Sequence, residues 1–253
     1  MSGFTVLLKK ELRDHFRTYK LLIVVSFFLL LGLGTPLLFH YLPALLETAG
    51  DTPIPIPEFP DFTAADVVGE YFGSITQIGI VVVILVAMGA VARERERGTA
   101  AMTLSKPVGR TTFITSKLAA LGVTFAAGLV GGAVACGSYT AILFGELNVS
   151  SFIAANLLVG LFFLACLAVT LLCSTFFKSQ LAAGGLALMA IVGIWSLSFI
   201  PQLELYAPMG IISWGQRMVA GSGPSAWGSV GISLGVVALC TLLSWQTLLR
   251  KEL

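Results

Sequence analysis

Six long apolar stretches, separated by short polar segments, constrain the fold of this chain more than any other feature. A helix that crosses a bilayer needs about 20 mostly apolar residues. Only 11% of the residues are charged, against about 25% in soluble domains. Because backbone groups in lipid must bond within their own segment, we predict an all-α membrane protein with one six-span transmembrane domain, residues 21–253. The predicted transmembrane helices are about 21–42, 74–92, 118–144, 152–176, 180–200 and 227–248.

The basic residues predict how this bundle is oriented. If the N-terminus, the 93–117 loop, the 175–181 turn and the C-terminus share one side, that side holds 14 of the 15 Lys and Arg residues. Only Arg217 then lies opposite, together with most of the acidic residues. Cytoplasmic loops carry an excess of Lys and Arg, so we predict a multi-pass protein with both termini cytoplasmic. The net charge of +2 gives no indication of a nucleic-acid partner.

Residues 1–20, which precede the first span, show the pattern of an amphipathic helix. Lys and Arg occupy much of the surface that the apolar residues leave. Such a helix suits the lipid surface, so we predict an interfacial helix on the cytoplasmic side; a solvated cytoplasmic helix is the alternative. The apolar residues at helical spacing are Phe4, Leu8, Leu12, Phe16 and Tyr19.

Two segments on the outer side differ from ordinary loops. Residues 43–73 contain a proline-rich stretch and then Thr63 with Asp66 three residues on, a pattern that starts helices. This segment is either an acidic linker or a docking surface for a periplasmic partner. Residues 201–226 are apolar but interrupted by Pro and Gly. We predict a short re-entrant or interfacial helical piece there, between spans 5 and 6.

The sequence lacks the usual patterns of catalytic and metal sites. It contains no Gly-Lys dipeptide and so no Walker A motif, and its four Cys residues form no CxxC pair. The span interiors carry no ionisable residue, which argues against a pump driven through buried carboxylates. We expect no catalysis, metal or cofactor on this chain. Uncharged polar residues in or beside the spans are candidates for lining a translocation path: Gln77, Asn156, Thr170, Ser196 and Ser198.

The densest charge in the chain, residues 93–97, directly follows the second apolar stretch. We expect the helix to continue through these residues and Gly98 to break it. Thr99 then caps a short helix that runs to about Leu104 and stops before Pro107. Two interpretations stay open: a helix that transmits movement from a soluble motor protein, and a basic anchor without a partner.

The run RERERGTAAMTLSKPVGRTTFITSK, residues 93–117, resembles the first cytoplasmic loop of ABC-2 type permeases. The N-terminal segment LLKKELRDHFRTYKLL is similar to the elbow helix of that family. The segment YAPMGIISWGQRMVAGSGP and the last span, which ends in LLRKEL, are similar to its outer hairpin and C-terminus. The subgroup resembles compact six-span permeases, NosY-like or multidrug exporters. The matching loop positions are Glu94, Glu96, Gly98, Thr99, Pro107, Arg110 and Lys117.

This resemblance implies the permease subunit of an ATP-driven exporter in the plasma (inner) membrane of a prokaryote. Two permease chains, identical or homologous, would form the path, and two separate ATPase subunits would hold ATP and Mg. The alternative function is a non-transporting membrane scaffold or anchor for a periplasmic assembly or maturation factor. The implied ATPase contacts are Glu94, Glu96, Gly98, Thr99, Met102, Leu104, Pro107, Arg110 and Lys178.

Overall fold

All regular structure in the described part of the chain is helical. The computed structural model describes residues 3–49, 62–98, 109–145, 147–196, 198, 200, 206–221 and 225–250, and no strand occurs among them. The helices are α1 (Gly3–Arg17), α2 (Lys20–Ala49), α3 (Ala64–Ala87), α4 (Gly89–Glu96), α5 (Arg110–Phe144), α6 (Val149–Phe176), α7 (Gln180–Ser196), α8 (Gly210–Val219) and α9 (Trp227–Arg250).

Five segments within the described ranges are long and apolar enough to cross a membrane, so the prediction of an all-α membrane protein is confirmed. They are Lys20–Leu45, Ala64–Glu96, Arg110–Phe144, Val149–Phe176 and Trp227–Leu249. The predicted fifth span corresponds to α7, which is apolar but only 17 residues long. Helix α5 begins about eight residues before the predicted third span, because it continues as a helix through the polar residues that precede its apolar part.

Helix α6 lies at the centre of the bundle. It packs against α3, α5, α7, α8 and α9, and 67% of its most apolar 18-residue stretch is buried. Phe163 on α6 meets Phe28 of α2 and Phe125 of α5 at ring-centroid distances of 5.6 and 6.1 Å, within the range of favourable aromatic pairs. These rings join three spans in one core.

Helices α2 and α5 form the most extensive helix pair, and glycine makes their close approach possible. A Cβ added at Gly132 would lie 2.7 Å from the carbonyl oxygen of Phe28, and one added at Gly32 would lie 2.3 Å from the carbonyl oxygen of Gly132. The Gly128-xxx-Gly132 spacing on α5 is of the kind that lets helix backbones approach closely. The second such spacing, Gly231-xxx-Gly235 on α9, faces open space.

The helix of the second span begins at Ala64, about ten residues before the predicted span, and both of its ends lie where the sequence marks them. Thr63 caps α3 in a reciprocal capping box with Asp66. The helix continues through α4 after a break at Met88, and Arg97 is its C-cap residue. Gly98 follows with φ +70°, a left-handed conformation that glycine adopts without steric cost. The predicted end of this helix is therefore confirmed.

The two short helices at opposite ends of the bundle are both partly buried. On α1 the buried residues are Leu7, Glu11 and His15, whereas Phe16 and Tyr19 of the predicted apolar stripe are exposed. Helix α1 therefore packs on α5 through a face that includes two polar residues. Helix α8, within the predicted outer piece, packs against α3 and α6.

Candidate functional site

The basic end of the bundle contains an ion-pair cluster centred on Lys117. The Lys117 ammonium lies 3.1 Å from both carboxylate oxygens of Glu11 on α1 and 3.0 Å from Glu94 Oε1 on α4. The Lys117 side chain is only 3% exposed. Lys10 adds longer contacts of 3.6 Å to the same two carboxylates. Because burial of a charge is compensated only by good pairing, this cluster fixes α1 and α4 against α5.

His15 fastens α1 to α5 at a second point. Its Nδ1 lies 2.8 Å from Thr124 Oγ1, and the Thr124 hydroxyl donates its proton to the carbonyl oxygen of Ala120. His15 Nδ1 must therefore be the donor, because a hydroxyl has a single proton. Burial, with a smaller contribution from Lys20, lowers the pKa of His15 from 6.5 to about 4. The ring is thus neutral at neutral pH.

Ser174 of α6 joins α3 to α4. Its hydroxyl donates to the carbonyl oxygen of Met88 at 2.8 Å. The Ser174 hydroxyl oxygen itself accepts from the backbone N–H groups of Val91 at 3.0 Å and Ala92 at 2.9 Å. These N–H groups lie near the start of α4, where helices need external acceptors. Arg95 Nη1 donates to the Thr175 carbonyl oxygen at 2.7 Å, so the end of α6 holds α4 in place.

Arg110, at the first position of α5, connects that helix to the end of α9. Its guanidinium Nη1 donates to the carbonyl oxygens of Leu248 at 2.9 Å and Leu249 at 3.1 Å. A cation is favourable at a helix C-terminus, where carbonyl groups lack intrahelical partners. Both flanks of segment 98–109 are therefore attached to other helices: α4 to α1, α5 and α6, and α5 to α9.

The predicted ATPase contacts lie in different surroundings in the structure. Glu94 is taken up in the internal cluster, whereas Glu96 is exposed at the end of α4. Lys178 is exposed in the turn between α6 and α7, next to the residues that hold α4. Gly98 and Arg110 flank the segment between α4 and α5. The remaining predicted contacts lie outside the described residues: Thr99, Met102, Leu104 and Pro107.

The five predicted path residues do not converge on one site. Gln77 and Ser196 are exposed, on α3 and α7, whereas Thr170 is fully buried in α6. The Asn156 side chain lines an apolar groove of about 520 Å³ between α5 and α6. Asn156, Thr170, Ser196 and Ser198 each donate to a carbonyl oxygen of the preceding turn. The three hydroxyls and the Asn156 amide nitrogen are thus satisfied within their own segments, whereas the buried Asn156 Oδ1 has no hydrogen-bond partner among the described residues.

Sequence reasoning did not identify Glu11, His15 and Ser174 as parts of this end. Leu7, Glu11 and His15 follow one another at intervals of four residues, so all three share one helix face. That spacing was the available signal. Ser174 carried none, because its role depends on the break at Met88.

The comparisons with known proteins agree with the resemblance in the loop. Residues 5–253 match the family described as ABC-2 family transporter protein. The chain is also 27% identical over 222 residues to the uncharacterized transmembrane protein YxlG of Bacillus subtilis (strain 168), which covers 87% of this chain and 86% of that protein. The family match spans nearly the whole sequence. This multi-pass membrane protein therefore belongs to the ABC-2 transporter family.

Proposed function

We propose that this chain is the permease subunit of an ATP-driven exporter and works as a pair of permease chains with two separate ATPase subunits. The observation that carries the proposal is the attachment of both flanks of segment 98–109. Glu94 and Arg95 connect one flank to α5 and α6, and Arg110 connects the other to α9. A displacement of the segment would move spans that lie far apart in sequence.

ATP and Mg would be held by the ATPase subunits, which supply the energy. This chain contributes a contact surface at its basic end and a path through the membrane. Glu96 and Lys178 suit that surface because both are exposed and carry opposite charges. Met102 and Leu104 of the intervening segment would supply apolar anchors for a groove on the ATPase.

The path would lie between the two permease chains. Residues that line such a path face outward in a single chain, as Gln77 and Ser196 do. Asn156 brings an amide to a largely apolar groove, which favours an apolar or amphipathic cargo. Thr170 is buried within the chain, which favours a role in packing for that residue.

The decisive test is affinity purification of the tagged chain from the membranes of its host. We expect an ABC ATPase subunit to copurify. Glu96→Arg and Leu104→Asp should both reduce its recovery, because loss of a central interface contact costs about 2 kcal/mol or more. The matched control is Glu70→Arg, the same charge reversal at an exposed acid on the other end of the bundle. The amount of permease in the membrane must stay equal in all variants.

The same experiment tests the scaffold alternative. An outer cleft motivates a periplasmic partner, because segment 43–73 lines part of it with Phe62, Asp66 and Glu70, opposite Arg217. If a periplasmic protein copurifies and no ATPase does, the chain is an anchor and the exporter proposal fails. If the ATPase copurifies equally with both variants, the charged segment is not its contact.

A further inference from the structure

A polar cleft separates α1 and the start of α2 from α4 at the basic end. Its volume is about 330 Å³, and Leu121 of α5 lines it beside the Lys117 cluster. Five cationic and three acidic side chains line the cleft: Lys10, Lys20, Arg93, Arg97, Lys117, Glu11, Asp14 and Glu94. So many charges around one cavity suit a charged occupant.

The charges within the cleft do not balance. Lys10 and Lys117 pair with Glu11 and Glu94, which accounts for two cations and two acids. Lys20, Arg93 and Arg97 form no ion pair with the described residues, and Asp14 is the one acid left on the lining. The cleft therefore has an excess of positive charge that an anion would neutralise. Two guanidinium groups and an ammonium group are typical partners of a phosphate.

The edge of the cleft that is nearest to the membrane spans adjoins surface that faces lipid. Lys20 is the first residue of a membrane span, and Leu22 and Ile23, which follow it, are 60% and 54% exposed. On the opposite wall, Leu85 is 59% exposed one helical turn before Gly89. Helix α4 packs mainly against α6 and α7 and has no extensive contact with α2. The cleft is therefore bordered by two apolar surfaces at the level where phospholipid headgroups lie.

We propose that this cleft binds the phosphate headgroup of an anionic phospholipid from the adjacent leaflet. Lys20, Arg93 and Arg97 contact the phosphate, and the acyl chains lie along the exposed apolar residues of α2 and α3. The site is independent of the ATPase contact proposed above, which involves Glu96, Lys178 and the segment after Gly98. A bound lipid would bridge α2 and α4, which the protein itself leaves apart.

The test is native mass spectrometry of the purified full chain with phosphatidylglycerol or phosphatidylcholine. We expect tighter binding of phosphatidylglycerol. The variant Lys20→Gln/Arg93→Gln/Arg97→Gln should bind it roughly a hundredfold more weakly, since each of the three cations contributes about a factor of five. The matched control is Lys9→Gln/Arg13→Gln/Arg17→Gln, which removes three exposed cations from the outer face of α1 and should retain the lipid.

Each other result overturns the proposal. Equal loss in both variants would indicate general surface electrostatics, and equal binding of the two lipids would exclude recognition of an anionic headgroup. Displacement of phosphatidylglycerol by inorganic phosphate would assign the cleft to a soluble anion. Retained lipid binding with loss of the copurified ATPase would make the cleft a protein contact. If the triple variant does not fold, Arg93→Gln alone must weaken lipid binding in the same assay.

Discussion

Helix α5 is held at two places by different physical means. At the basic end, Lys117 is enclosed by the carboxylates of Glu11 and Glu94. Further along, Gly132 lies directly against the backbone of α2, and Gly128 lies against the side chains of Phe28 and Val24. The first contact depends on charges that are placed together, and the second depends on the lack of side chains.

The difference reflects the two environments. Lipid provides no hydrophobic driving force between helices, so close packing of small residues has to supply the contact. Near the membrane surface, a buried ion pair is costly in desolvation and is compensated only when both partners are present. We therefore expect the ionic contact to be lost when one partner of the ion pair is removed. The glycine contact should be lost when a side chain is added to one of the glycines.

The largest effect is expected for Lys117→Met. This change leaves the carboxylates of Glu11 and Glu94 at a poorly solvated position without their main cation, and breaking a buried ion pair in this way costs about 3–5 kcal/mol. We expect a large loss of thermal stability in detergent. Fluorescence-detected size-exclusion chromatography after heating measures it.

A second substitution shows whether the uncompensated charge causes that loss. In Lys117→Met/Glu11→Gln/Glu94→Gln the negative charges are removed together with the cation. This triple variant should be more stable than Lys117→Met alone, because neutral groups cost less to bury. If it is equally unstable, the contribution of Lys117 is packing, for instance over the Phe113 ring 4.9 Å away.

Gly32→Ala should have the next largest effect. The added Cβ would lie 2.3 Å from the carbonyl oxygen of Gly132, so the two backbones must separate. Overpacking of this kind costs about 1–3 kcal/mol, measured by the same thermal assay. Gly34→Ala on the same helix meets nothing within 4 Å and serves as the control. Equal stability of the two variants would show that the α2–α5 contact tolerates separation.

The sequence predicted these two regions to different extents. Apolar length located the spans, and Thr63 and Gly98 marked helix limits, because these signals are local. The same small-residue spacing occurs at Gly128 and Gly132, which pack against α2, and at Gly231 and Gly235, which face open space. Spacing alone does not specify which helix, if any, lies opposite.

The charged end was predictable only in part, because its contacts join residues far apart in the chain. The loop pattern drew attention to Glu94, Arg110 and Lys117. Their partners depend on how α1, α6 and α9 pack, and no local pattern reports that packing. Ser174 is the clearest case, since its acceptor role exists only because α4 starts beside it.

A smaller effect is expected from acid at the ionic end. The pKa of His15 is about 4 in the folded chain against 6.5 ordinarily, so the unfolded state takes up a proton first as the pH falls. The contribution of neutral His15 is complete above pH 6.5 and is lost progressively towards pH 4, by up to about 1.4 kcal/mol per pH unit. Melting curves should show this slope, and His15→Gln should reduce it. An unchanged slope in the variant would assign the acid sensitivity to the nearby carboxylates.

The smallest effect is expected at the glycine pair of α9. A Cβ at Gly235 meets nothing within 4 Å, so Gly235→Ala adds no clash within the chain. Because Ala favours the helix more than Gly does, stability should stay equal or rise by up to about 1 kcal/mol. Thermal unfolding of the purified monomeric protein, measured in parallel for Gly235→Ala and Gly32→Ala, compares the two changes in stability directly. A loss of stability comparable to that of Gly32→Ala would mean that the two glycine pairs have the same role.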